Sequence, residues 1–281
     1  MRYGLYTPNY GAAISARTLA ELAHEAEAAG WDGFFIWDHI LASKSQRDPL
    51  VDPWVTLAAI AMNTDRIRIG TAVTPVARRR PWKLARETVT LDHLSGGRLI
   101  LTVGLGFPPD ADFAQFGEEP DAKVRAAKLD EGLEILTGLW KGKPFRYDGE
   151  NYHIEKTLFL PPALQTPRIP IWVGGYWPNK APFRRAARWD GAFPLKMGGG
   201  MTQRDLEEIR TYIQQHRTTT TPFDLVMMGY TPGNDKTKAH KTVARYAAAG
   251  LTWWLESLFG LRGSVEAMRS RVRQGPPTTD R

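Results

Sequence analysis

The chain is predicted to fold as a (β/α)8 TIM barrel, an α/β fold, with an insertion segment before its fifth strand. Three observations lead there. Short apolar strand patterns alternate with amphipathic helix patterns from end to end. The strand patterns number eight, each followed by a helix pattern. A length of 281 residues suits closure of eight such units in one domain. Parallel strands joined by helical crossovers would otherwise stay open and doubly wound.

The strand patterns lie at 2–7, 33–37, 67–73, 98–104, 170–174, 191–196, 223–230 and 251–256. They are rich in Val, Ile, Leu, Phe, Trp and Tyr with little polar alternation, as expected where helices cover a parallel sheet. Among the helices, Thr18-Leu-Ala-Glu21 reads as a capping box, followed by the stripe Leu19, Leu22, Ala23, Ala26 and a stop at Gly30. Pro81 opens another helix with Leu84, Thr88 and Leu91 on one face. Leu129, Leu133, Leu136 and Trp140 form a third stripe that ends at Gly142. Further helices are expected at 53–63, 179–189, 202–216, 236–249 and 264–273. Residues 143–169 break the rhythm with turn signals at Asp148-Gly149, Pro161-Pro162 and Pro167, and read as an inserted hairpin and extended loop. The single barrel is expected to span 1–274, with a disordered tail at 275–281.

Composition narrows the function. No run of about 18 apolar residues is present, so no membrane span is expected, and the first residues read as a strand and not as a signal core. The absence of cysteine excludes disulfides and thiolate metal sites and fits a cytoplasmic protein. The net charge of +7 is scattered over predicted helix faces, apart from Arg78-Arg79-Arg80. No nucleic-acid partner is expected from that distribution. A small anionic molecule uses such charge more economically. The six histidines show no metal-ligand spacing, so no metal is expected. Neither a Gly-x-Ser-x-Gly elbow nor a phosphate-binding Walker loop occurs.

In a barrel of this kind, chemistry sits where strands end. The second strand ends in Asp38-His39. A carboxylate beside an imidazole there can orient the ring and tune it for acid–base work. The blander reading has Asp38 capping a loop and His39 packed as a satisfied histidine; position favours function. Gly70-Thr-Ala-Val-Thr-Pro75 ends the third strand in small residues that admit a flat ligand or simply a tight exit. The fourth leaves through Gly104-Leu-Gly106, which serves close ligand approach and a plain turn equally well. It is no dinucleotide fingerprint, since Pro109 stands where a third glycine belongs. Gly174-Gly175 before a helix suits an anionic group. Lys196 and Glu256 end later strands and either face the mouth or sit on its rim. Arg78–Arg80 either clamp an anionic tail or lie in a solvated loop.

Six segments in this order resemble the bacterial luciferase-like superfamily of flavin- and deazaflavin-dependent oxidoreductases. They are Ala29-Gly-Trp-Asp-Gly-Phe-Phe-Ile-Trp-Asp-His39, Ile69-Gly-Thr-Ala-Val-Thr74, Leu91-Asp-His-Leu-Ser-Gly-Gly-Arg98, Val103-Gly-Leu-Gly106, Leu129-Asp-Glu-Gly-Leu-Glu-Ile-Leu136 and Pro170-Ile-Trp-Val-Gly-Gly175. The resemblance covers about residues 1–260. It implies a barrel with an insertion and a ring cofactor across the mouth, supported by a third-strand bulge whose non-proline cis peptide would be Ala72–Val73. It also implies a cofactor phosphate at Gly174-Gly175, and cofactor contacts from Asp38, Ala72, Val73, Thr74, Gly104, Gly106 and Lys196. An Asp-His pair at this point is similar to the branch that uses coenzyme F-420 (8-hydroxy-5-deazaflavin), with FMN as the alternative. In that branch the pair sits near the reacting carbon, which assigns catalytic roles to Asp38 and His39. Sugar-phosphate dehydrogenases of the branch carry an acid directly after the Gly-x-Gly, where this chain has Phe107. That departure points away from a sugar phosphate and towards an apolar or aromatic slot of Trp37, Phe107, Trp253 and Glu256, although core packing explains tryptophans equally well.

The reading favoured at this point is hydride transfer between the deazaflavin and a small organic substrate. The alternatives are a reduced-FMN, oxygen-using monooxygenase with a lid at 108–122 or 197–203, a non-catalytic flavin-binding protein, and a cofactor-free barrel hydrolase or isomerase. Relatives are often dimers through barrel-side helices, so the resemblance implies a homodimer.

Overall fold

The computed structural model describes residues 1–278. Eight parallel strands close into a barrel: β1 (Arg2–Thr7), β2 (Gly33–Ile36), β3 (Arg68–Pro75) and β4 (Leu99–Gly104), then β7 (Ile171–Trp177), β8 (Gly191–Lys196), β9 (Asp224–Gly229) and β10 (Trp253–Ser257), which pairs back onto β1. The expected insertion holds an antiparallel hairpin, β5 (Phe145–Asp148) and β6 (His153–Thr157), followed by an irregular stretch that leads to β7. Helices α1 (Ala16–Ala28), α2 (Pro53–Met62) and α3 (Pro81–Leu94) pack outside the first strands. A single turn, α4 (Pro109–Asp112), precedes the long α5 (Ala122–Leu139). The chain then forms α6 (Ala181–Ala186), α7 (Gln203–His216), α8 (Lys236–Ala248) and α9 (Val265–Arg273).

The strands are apolar on both faces because both are covered. On β2, Phe34 and Ile36 face the helices while Phe35 points inward. Inside the barrel, Phe35, Trp172 and Trp253 meet at ring-centroid distances of 5.3 to 5.8 Å. They close the lower interior, so any cavity must lie above them, at the C-terminal ends of the strands.

Two local expectations are corrected. The first helix is capped by Ser15, whose Oγ accepts from the Thr18 amide at 3.0 Å, so it starts one turn before the Thr18 signal. A true capping box stands at α7 instead, where Thr202 and Asp205 bond each other's backbone amides reciprocally. The tail is not disordered as far as it is described. Pro276 and Pro277 are buried, and Arg271 Nη1 donates to the Gly275 carbonyl at 2.8 Å. Residues 279–281 lie outside the described residues.

Candidate active site

The exits of the strands surround a cavity of about 430 Å³ with a mostly apolar wall. Tyr6, Trp37, Phe193, Leu195, Met228 and Phe259 line it, and Ala72, Val73, Gly104 and Gly174 face it from β3, β4 and β7. The β3–β4 register shifts between Thr71 and Thr74, which marks a bulge, and the Ala72–Val73 peptide within it is cis. The glycines beside the bulge have a steric reason. A Cβ on Gly104 would come within 2.9 Å of one Val73 methyl, and a Cβ on Gly174 within 2.6 Å of the other. The Val73 side chain therefore nests between two glycines. Gly106 has φ +83°, which favours glycine, and a Cβ on Gly175 would collide with Pro182.

Asp38 and His39 do not pair with each other. Asp38 is buried, and its carboxylate accepts from Arg79 Nη2 at 2.7 and 2.8 Å, from Arg78 Nη2 at 2.7 Å and from Thr74 Oγ1 at 2.9 Å. The carboxylate that orients His39 is Asp112, which the sequence reading passed over. His39 Nδ1 lies 3.0 Å from Asp112 Oδ2, while Asp112 Oδ1 accepts from the Ile40 and Leu41 amides at 3.0 and 3.1 Å. Arg78 Nη1 stands 2.8 Å from the same oxygen, an ionic contact whose N–H is not aligned for a hydrogen bond. Burial alone pushes the Asp112 carboxyl up. The His39 hydrogen bond, the Arg78 charge and the Leu41 amide outweigh it and hold the group below the usual carboxylate range. An ionised Asp112 accepts, so Nδ1 is the donating nitrogen and Nε2 is the one left free of Asp112. The result is one buried chain: Arg79–Asp38–Arg78–Asp112–His39.

The remaining expected residues divide. Phe107 is half-exposed at the rim, its ring 5.9 Å from that of Tyr176. Trp253 belongs to the closed lower interior and not to the cavity, because it is the first residue of its strand. Glu256 has the opposite parity to Trp253 and points out of the barrel. There it accepts from Thr231 N and Oγ1, Trp254 Nε1 and Arg262 Nη2. Lys196 is exposed and paired with Asp205 at 2.7 Å, outside the cavity wall. Thr74 is buried behind the wall, bonded to Asp38 and Thr71. Of Arg78–Arg80, the first two are held by Asp38 and are not in a solvated loop. Among the cavity residues that no sequence signal marked are Tyr176, whose hydroxyl burial holds above its ordinary pKa, and Arg125. No described helix is long and apolar enough to cross a membrane, and no three His, Asp or Glu among the described residues are grouped to hold a metal.

A closed eight-stranded barrel with a bulged third strand and a histidine–carboxylate pair at an apolar mouth defines the class. The chain belongs to the luciferase-like monooxygenase family, whose model matches residues 1–269. Among characterised relatives, it is 34% identical over 165 residues to the F-420-dependent glucose-6-phosphate dehydrogenase of Nakamurella multipartita, covering 57% of this chain and 47% of that protein. The corresponding Gordonia bronchialis protein is 32% identical over 186 residues, covering 66% and 54%. The chain thus spans about half the length of these dehydrogenases. Among solved structures, an F-420-dependent secondary alcohol dehydrogenase with an F-420–acetone adduct superposes with a TM-score of 0.78 at 15% identity, covering 97% of this chain and 98% of that one. A monooxygenase from Streptomyces bottropensis gives 0.73 at 22%, with 98% of each chain covered. At these identities the structural likeness is one of fold.

Proposed function

We propose that this protein is an oxidoreductase that transfers a hydride between coenzyme F-420 and a small, uncharged organic substrate. The observation that carries the reading is the His39–Asp112 pair at the edge of an apolar cavity. The residues present fit a flat ring: the Val73 bulge offers one smooth wall and the aromatic side chains of Tyr6, Trp37, Phe193 and Phe259 the other. Similarity to two F-420-dependent dehydrogenases favours the deazaflavin over FMN. The bound deazaflavin would supply or accept the hydride.

The protein's own residues manage position and protons. Ala72, Val73, Gly104 and Gly174 shape the wall against which the ring lies. His39 Nε2 takes the hydroxyl proton when an alcohol carbon is oxidised and returns it when a carbonyl is reduced. Asp112 keeps that nitrogen basic and aimed. Asp38 acts at one remove, anchoring Arg78 against Asp112 and the bulge through Thr74. The apolar lining closes the reacting atoms off from water. Beside His39 itself no unpaired charge meets the substrate, since Arg78 and Arg79 are held by Asp38 and Lys196 and Glu256 are paired elsewhere. The whole chain acts as one barrel in this reading, as a homodimer in the cytoplasm.

Titrating pure protein with F-420 and with FMN, each oxidised and reduced, tests the reading through cofactor fluorescence and thermal stability. F-420 is expected to bind at micromolar concentration or below. Tight FMN binding with none for F-420 would overturn the cofactor assignment. A His39→Ala variant should keep cofactor affinity and lose turnover of secondary alcohols or ketones.

A further inference from the structure

Tyr6 stands on β1 at the foot of the cavity. It pairs in register with Phe35 of β2, a member of the closed aromatic interior, while His39 follows four residues further at the mouth. The Trp37 ring stands between the two, its centroid 5.6 Å from those of Tyr6 and His39. The Tyr6 ring also meets Phe193 and Phe259 edge-on at 5.6 and 5.7 Å, and the residue is only 7% exposed. Those contacts account for the ring and not for the hydroxyl, since phenylalanine would make them all. Among the described residues nothing hydrogen-bonds the Tyr6 hydroxyl. Other polar groups of the wall are engaged: His39 by Asp112, Arg185 by Asp130, and the Asn179 side-chain oxygen by the Ala181 amide. The Trp37 N–H also lacks a partner, but it is sealed inside the protein, out of reach of a ligand. The Tyr6 hydroxyl is not sealed in this way and belongs to the cavity wall. Burial keeps it protonated, and charges on the Tyr176, Tyr10 and Tyr230 phenols would each oppose its ionisation. It is a neutral donor without an acceptor.

We propose that Tyr6 is the specificity-determining contact at the far end of the substrate, where its hydroxyl donates to a neutral oxygen set a carbon ring's width from the reacting carbon. The substrate class is accordingly a bifunctional ketone or secondary alcohol. Its reacting oxygen lies beside His39, and a second oxygen, of an ether, carbonyl or hydroxyl, lies at Tyr6. A carboxylate does not fit that place, because the rings of Trp37, Phe193 and Phe259 offer no countercharge to a desolvated anion. Three ring contacts hold the phenol before the substrate arrives, so little side-chain freedom is lost on binding. The identity of the reacting end rests on the proposed function; the hydrogen bond at Tyr6 does not.

Tyr6→Phe tests this with two ketones of nearly equal shape: 4-methoxycyclohexanone, whose ether oxygen can only accept, and 4-ethylcyclohexanone, which has a methylene in its place. Binding is followed by tryptophan fluorescence, without cofactor and with F-420 added, and turnover by F-420 absorbance. A neutral hydrogen bond predicts that the substitution lowers the preference for the methoxy ketone about 3- to 10-fold while affinity for the ethyl ketone holds. In turnover the change should fall on KM and not on kcat, because the contact is made equally before and during hydride transfer. The melting temperature of the free variant should equal or exceed that of wild type, since the hydroxyl bonds nothing in the fold. In wild type isotope-labelled at tyrosine Cζ, the methoxy ketone should shift the Tyr6 NMR signal more than the ethyl ketone does. A Tyr6-dependent preference in binding, without turnover of either ketone, leaves the contact standing while the proposed function fails. A preference undiminished in Tyr6→Phe overturns the proposal, as does failure of both ketones to bind. A lowered melting temperature would assign the hydroxyl to the fold, and weakened F-420 affinity would assign it to the cofactor; either result also overturns the proposal.

Discussion

Replacing Asp112 by asparagine tests the site most directly, because it alters one atom in a carboxylate that serves four neighbours. In the wild type, Oδ1 accepts from the Ile40 and Leu41 amides and faces Arg78, while Oδ2 faces His39 Nδ1. Asparagine can keep its oxygen on the two amides, which leaves its NH2 group facing Nδ1. A donor now meets a donor, and the imidazole must move its proton to Nε2. The nitrogen facing the cavity is then protonated in the resting state and cannot act as a base. Catalysis should fall by about 10²- to 10⁴-fold, the usual share of general acid–base help. Cofactor affinity should change little. Arg78 keeps Asp38 as a partner, so the stability loss should stay near 1–3 kcal/mol and not reach the 3–5 kcal/mol of a fully broken buried pair. Nitrogen NMR of the imidazole reads the tautomer without any substrate. An unchanged His39 tautomer in a folded Asp112→Asn protein would refute the assignment, as would turnover within about threefold of wild type.

Asp38→Asn should be the more destabilising change, by about 3–5 kcal/mol, because it leaves the half-buried Arg79 without its ion-pair partner and Arg78 with Asp112 alone; a calorimetric melting point lowered by less than that of Asp112→Asn would contradict the chain of charges. Gly174→Ala should cost about 1–3 kcal/mol through its clash with Val73, and Val73→Ala in the same protein should recover most of that loss; additive losses in the double variant would show that the two sites do not touch. Acid should destabilise the fold in a defined window. Asp112, Asp130 and Asp205 all have folded-state pKa values below the ordinary one, so in each case the unfolded chain binds its proton first. Their contribution is intact above the unfolded carboxyl pKa of about 4 and is lost as pH falls through the lower folded values. Thermal melts at pH 3 to 7 check this, and Asp112→Asn should show a shallower acid decline than wild type.

The barrel was legible because its signals are local and repeated. Each strand needed only a short apolar run between turn residues, and the observed strands begin and end within three residues of the expected ones. The misplaced first cap shows the limit of such reasoning. Thr18 and Glu21 have the right spacing, but Ser15 lies one turn earlier with the same chemistry, and spacing alone does not choose between them. Strand parity was a second limit. Trp253 and Glu256 sit in the same strand, yet one lies deep inside the barrel and the other outside it. A strand apolar on both faces carries no alternation from which the inward side can be read.

The site was half legible for a different reason. Position at a strand end marked His39, but its partner lies 73 residues further on, in a single helical turn with no pattern of its own. Sequence adjacency suggested Asp38 instead, and adjacency is misleading here: as the chain leaves β2, consecutive side chains diverge, one towards the arginines behind the wall and the next towards the cavity. The glycines carry the same lesson in reverse. Gly104 read as close ligand approach or a plain turn and Gly174 as part of an anion's backbone cradle, and the structure fills the space at their Cα atoms with Val73. They still serve the ligand, because the side chain they admit forms the surface on which a ring can rest. Small residues at a strand exit therefore mark a close approach without identifying what approaches.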